Sequence, residues 1–180
     1  MTDLTQFTKI AALKEQLAKD ESKLSELYKS HEIRQHQWII DQISAFANAN
    51  SFSLTVASNT GLSTVLNLSS HGLNYSLKVG KQPLIGVWTV IEFTDPNYQN
   101  KQKQIDVYFT QKSIDSPIQN TSGMSEQQKL EAKIQDTQNR IVNFKDHELS
   151  FGYGRVTVRK PLIHGTFEEV FAFVLNNPEK

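Results

Sequence analysis

From Leu84 to Phe93 the chain reads Leu-Ile-Gly-Val-Trp-Thr-Val-Ile-Glu-Phe, with apolar residues in both odd and even positions. A strand sends alternate side chains to opposite faces, so a run that is apolar in both parities describes a segment covered on both sides. This stretch is the expected central strand of a sheet. The rest of the chain supplies its neighbours and its cover.

Asp3 followed by Gln6 is a helix start, and no Gly or Pro follows as far as Asn48. Ile10, Leu13, Leu17, Leu24 and Leu27 recur at spacings of three and four, with Asp20 at the polar position among them; this is a short coiled-coil seam. Carried onward, the frame reaches His31, Arg34 and Trp38, so the seam is expected to fail near Ser30. A broader apolar face of Ile33, Trp38, Ile39, Ile40, Ile43, Phe46 and Ala47 then suits packing on the sheet. One unbroken helix of this length would extend roughly 65 to 70 Å, so it either bends near Ser30 or carries its first half outward to a partner.

Phe52, Leu54 and Val56 alternate and open the sheet. Ser63–Ser70 and Leu73–Val79 flank His71-Gly72, and one register about that turn sets Leu68 against Tyr75, Leu66 against Leu77 and Thr64 against Val79. Polar residues face polar ones in the same register, with Asn67 against Ser76 and Ser69 against Asn74, so turn and face agree. Gly80–Pro83 turns into the central strand and Asp95-Pro96-Asn97 ends it. Gln104–Thr110 follows, with Ile105, Val107 and Phe109 inward and Asp106 and Thr110 outward toward solvent.

Ser125, three residues before Gln128, opens a second long helix to about Lys145. Its seam of Leu130, Ile134, Ile141 and Phe144 includes Thr137 and either pairs with the first seam as an antiparallel hairpin or seeks another copy. Leu149, Phe151 and Tyr153 alternate, Val156 and Val158 do so in the opposite parity, and Thr166 caps a last helix over Phe167–Leu175. The expected fold is α+β: a mostly antiparallel meander of about five strands plus a late strand pair, flanked by the long N-terminal helix and C-terminal helices. Residues 1–30 form a helical extension in this reading, and 31–180 a single domain.

Chemistry is sparse. The absence of cysteine excludes disulfides, thiolate metal sites and cysteine nucleophiles. His31 and His36 stand five apart and diverge on a helix, no spacing matches a zinc helix, and the histidines read as solvated. Gly61-Leu-Ser63-Thr-Val65 lacks the second glycine of a nucleophile elbow, and no phosphate-cradling glycine loop is present. Glu92, Asp95 and Asp106 could approach at one end of neighbouring strands as an acid–base pair, although such carboxylates are ordinarily solvated. No cofactor and no metal is expected. The first seven residues do not read as a signal peptide, and the longest apolar run is about half a membrane span, so a cytoplasmic protein without a membrane segment is expected.

Phe151–Lys160 gathers Tyr153, Arg155, Arg159 and Lys160, aromatic and basic groups on one strand, with Lys101 and Lys103 as further candidates for phosphate contacts. Gly152, Tyr153, Gly154, Val156 and Val158 resemble the octapeptide of RNA-recognition domains. The stretch departs from that motif at Phe151 and Arg155. Tyr153-Gly154-Arg155 is similar to the hook of nucleoid proteins of the H-NS type. Neither likeness reaches the intervening sheet, and 19 Lys and Arg against 19 Asp and Glu give no overall field toward nucleic acid, so no family is assigned. The leading expectation is a non-enzymatic interaction protein of adaptor or scaffold type, homo-oligomeric or docking a protein partner through Ile10, Leu13, Leu17, Leu24 and Leu27. Nucleic-acid binding on 151–160 is the alternative.

Overall fold

The computed structural model describes residues 4–61, 63–80, 87–96, 101–109, 122–146, 148–153, 162–164 and 166–176. The elements run α1 (Leu4–Ala49), β1 (Ser53–Asn59), β2 (Ser63–Ser70), β3 (Leu73–Gly80), β4 (Val87–Asp95), β5 (Lys101–Phe109), α2 (Glu126–Val142), β6 (Leu149–Tyr153), β7 (Leu162–His164) and α3 (Phe167–Asn176). The fold is α+β. Its contacts divide the chain into two compact units, with the boundary inside α1 between Glu32 and Ile33.

The larger unit is built on one antiparallel sheet in the order β1-β2-β3-β4-β5-β6-β7, a plain meander. β4 is its middle strand. Thr89, Val90 and Ile91 are all buried, so both faces of β4 are covered, and Trp88 is half-buried against the main core. The β2–β3 hairpin has the register its turn and faces dictate, from Ser63 opposite Gly80 to Ser70 opposite Leu73. His71 and Gly72 both adopt positive φ, 49° and 84°, which lets a two-residue turn match the right-handed twist of the strands. Glycine carries that conformation at no steric cost at the second position.

One face of the sheet holds Leu66, Leu68, Tyr75, Leu77, Val79, Ile91, Phe93, Ile105, Val107 and Phe151, all buried. Ile39, Ile43, Phe46 and Ala47 of α1 and Phe167, Val170, Phe171 and Val174 of α3 complete that core. Each fully buried side chain of this size stabilises the fold by about 1.5 to 3 kcal/mol relative to exposure. Trp38 stacks on Phe151 at 5.3 Å, while Phe171 meets Phe46, Tyr75, Phe93 and Phe167 at 5.2 to 5.4 Å. Ile33, expected on the packing face of α1, is instead 63% exposed.

Thr166 starts α3 with reciprocal bonds. Its hydroxyl accepts from the Glu169 N–H, and its own N–H donates to the Glu169 carboxylate. Ser125 and Gln128 make the same box at the start of α2. Such boxes satisfy two orphan helix donors at once. Asp3, residues 81–83 of the expected turn, the expected strand at Val156–Val158 and Thr110 lie outside the described residues.

Candidate interaction surfaces

In the smaller unit, the first part of α1 lies along α2. Asp20 accepts from the Gln138 amide at 2.9 Å, the Tyr28 hydroxyl accepts from Arg140 at 3.0 Å, and His31 meets Asp146 at 2.9 Å. From Lys14 beside Glu126 to His31 beside Asp146, later residues of α1 thus meet later residues of α2, and the helices run parallel; the long exposed side chain of Lys9 reaches out of that order, to Glu131. The antiparallel hairpin expected from the sequence is corrected on this point, because periodicity marks a stripe but carries no direction. Leu17, Leu24, Ile134 and Thr137 are buried, whereas Ile10, Leu13 and Leu27 remain half-buried.

The apolar seam gives way near Ser30, with the boundary of the unit after Glu32 and with Arg34 exposed, but its last position is packed and not solvated. His31 occupies that position, is buried, and sets its ring edge-on to Phe144 at 5.6 Å. Nor is His36 solvated: in the larger unit its Nε2 lies 2.9 Å from the Thr64 hydroxyl, and burial pushes its pKa below the ordinary value. Histidines on this helix serve as packed polar joints. His71 alone among the described histidine side chains stands exposed, in its turn.

Ionic neighbours flank the paired helices: Lys14 reaches Glu126 at 2.8 Å and Lys9 reaches Glu131 at 3.9 Å. Both pairs are exposed and worth about 0 to 1 kcal/mol each. Arg140 also sits with its guanidinium carbon 6.0 Å from the Tyr28 ring centre. Beside that pair an open groove is lined by Glu21, Lys29 and Glu32. Among the described residues of the unit, the most exposed large apolar side chains are Leu4 and Val142, each 81% exposed, and Phe7 at 70%.

In the larger unit the three candidate carboxylates do not converge. Asp95 lies on the core-facing parity, 3.2 Å from Lys103, and both side chains are buried. Asp106 pairs with Val90 on the opposite face, five positions back along β4, where it accepts from Tyr108 at 3.1 Å and Gln104 at 2.5 Å. Glu92 faces Lys78 at 3.7 Å. The expectation that Asp106 points to solvent is overturned: it is 3% exposed, with Val90 and Tyr108 buried beside it. Burial first, then the Asp106 charge and hydrogen bond, push the Tyr108 phenol far above its usual range. Tyr108 therefore stays a protonated donor to that carboxylate.

The basic–aromatic strand is only partly within the described residues. Arg155, Arg159 and Lys160 lie outside them, and of Lys101 only the backbone is described. Tyr153 falls on the core-facing parity of β6, with its ring 5.8 Å from Phe173 of α3. Burial, with the charge of Asp106 second, raises its pKa. Lys103 is removed from the phosphate-binding set, since its ammonium is buried against Asp95 and donates to the Val174 carbonyl at 2.8 Å. No signal in the sequence marked that lysine as internal, because its counter-charge sits on the neighbouring strand.

Among the described residues no three His, Cys, Asp or Glu side chains are grouped to hold a metal, and no helix is long and apolar enough to cross a membrane. Comparison with protein-family models, with curated proteins and with solved structures finds no match to this chain.

Proposed function

We propose that this chain is a non-enzymatic interaction protein of adaptor or scaffold type, and that its paired-helix unit docks a helix of a protein partner. The observation that carries the reading is the half-open seam. Two helices shield each other's apolar stripe from one side only, which leaves Ile10, Leu13 and Leu27 half-buried while Leu17 and Leu24 are covered. Leu4 and Phe7, three residues apart on the first turns of α1, continue the apolar surface at 81% and 70% exposure. A third amphipathic helix laid along the flank of α1 that carries Leu4, Phe7 and Ile10 would bury these three side chains in the manner of helix-in-groove recognition, while Leu13 and Leu27 lie on the other side of the row formed by Leu17 and Leu24.

The test is capture from the native host with the intact chain and with Leu4→Glu plus Phe7→Glu. Both positions are exposed, so circular dichroism of the double variant should match wild type. A helical partner retained by wild type and lost by the variant supports the reading. Identical retention by both proteins would retire it. The alternative, nucleic acid held on residues 151–160, rests on Arg155, Arg159 and Lys160 now that Lys103 is committed to Asp95. Its test is a gel shift that weakens as salt rises.

A further inference from the structure

The strand β1 ends the sheet, and among the described residues nothing pairs with its outer edge. Sheet edges are ordinarily guarded by charge, proline or a bulge, since a row of unpaired backbone groups invites another strand. Ser53–Asn59 holds no charged residue and no proline; its single irregularity is the bulge at Ala57, between Val56 and Ser58. Val56 pairs with Leu66 and Leu54 with Leu68, so both belong to the apolar core-facing row. Leu66 and Leu68 are fully buried there, yet Val56 is 60% exposed. Leu54 is half-buried against the core, and at Val56 the core row runs beyond its cover.

We propose that a second copy of this chain supplies the missing neighbour, through antiparallel pairing of β1 with β1 about a two-fold axis at Thr55. In such a pair, residues opposite each other share a face, so the axis must pass through a residue and not between two. Centred on Thr55, the register sets Leu54 opposite Val56 of the second copy, twice, and Thr55 opposite itself. Centred on Leu54 it calls on Phe52, whose ring is committed to Phe46 and Tyr75. Centred on Val56 it runs through the bulge. The strand carries no charge and the chain's formal net charge is zero, so like-charge repulsion does not oppose the pairing. This inference is independent of the helical docking reading.

Light scattering across a concentration series on wild type, Thr55→Lys, Thr55→Glu and an equimolar mixture of the two variants tests it. Wild type should reach twice the chain mass, each variant should stay at the chain mass, and the mixture should recover the dimer as opposite charges face each other. A second measurement uses the absence of native cysteine. Thr55→Cys should form an intermolecular disulfide on mild oxidation, because residues opposite each other in antiparallel strands stand about 4.5 to 5.5 Å apart at Cα. Asn74→Cys, exposed on β3, should not. A wild type that stays monomeric, a dimer indifferent to Thr55→Lys, or a Thr55→Cys protein that crosslinks no faster than Asn74→Cys would overturn the proposal. A dimer abolished by Leu4→Glu plus Phe7→Glu and untouched by Thr55→Lys would assign self-association to the helices instead.

Discussion

Lys103 joins the sheet to the end of its covering helix: its ammonium donates to the Val174 carbonyl at 2.8 Å, in the last turn of α3, while Asp95 lies 3.2 Å away. A cation suits that place, because the last carbonyls of a helix lack intrahelical donors and present the negative end of its dipole. Asp95 balances the charge so that the lysine can remain internal.

Replacing Lys103 with Met removes the cation and keeps the apolar stem. The expected loss is about 3 kcal/mol, as for other broken buried ion pairs. A urea unfolding series reads it, and adding Asp95→Asn to Lys103→Met should recover part of the loss. A single variant as stable as wild type would show that the pair does not hold α3 down.

Phe171 is the hub of the aromatic core, with four rings within 5.4 Å. Truncation to Ala should cost about 3 to 5 kcal/mol, since the surrounding strands and helix cannot collapse fully into the void. Thr166→Ala, which removes only the hydroxyl that caps the same helix, should cost about 1 kcal/mol. Thermal unfolding that ranks these two the other way would contradict the placement of α3.

His36 gives the larger unit a pH dependence. Burial lowers its folded pKa, so between that value and the unfolded value of about 6.5 the unfolded chain binds the extra proton. Stability from this group is therefore full above that range, falls as pH drops through it, and levels off below the folded pKa. Urea midpoints from pH 7.5 down to pH 5 should decline in wild type and decline less in His36→Gln. Equal slopes would remove His36 as the source.

The same residues show what a sequence can and cannot disclose. The hairpin about His71-Gly72 was legible because two local constraints, turn conformation and face parity, demand one register. The helix starts at Ser125 and Thr166 were legible for a similar reason, since donor and acceptor stand three residues apart. β4 was legible as the middle strand from its double parity alone. The fates of His31 and His36 were not: their partners Asp146 and Thr64 lie 115 and 28 residues away, and nothing near either histidine announces them. Of the candidate sites, the helical seam and its possible mate in the second helix were legible as stripes, but the parallel direction of that mate was not. Lys103 was misread because an isolated lysine suggests surface until the strand beside it supplies Asp95.

Asp20 offers a separate test of the paired helices. It stands in the seam between Leu17 and Leu24 and meets Gln138, a polar pair among apolar neighbours. A polar residue at one such position lowers stability but fixes alignment, because any slip would leave its partner without the bond. Asp20→Leu should therefore raise the unfolding free energy, by about 1 kcal/mol for a side chain only half buried, read from the urea midpoint. It should also loosen the register, so that amide resonances of α2 broaden and the measured mass rises with concentration. Asp20→Asn keeps an acceptor for Gln138 and should show neither change. If Asp20→Leu lowers stability while leaving the α2 resonances sharp, the pair acts by its bond strength, and the alignment of the helices is set by the flanking leucines alone.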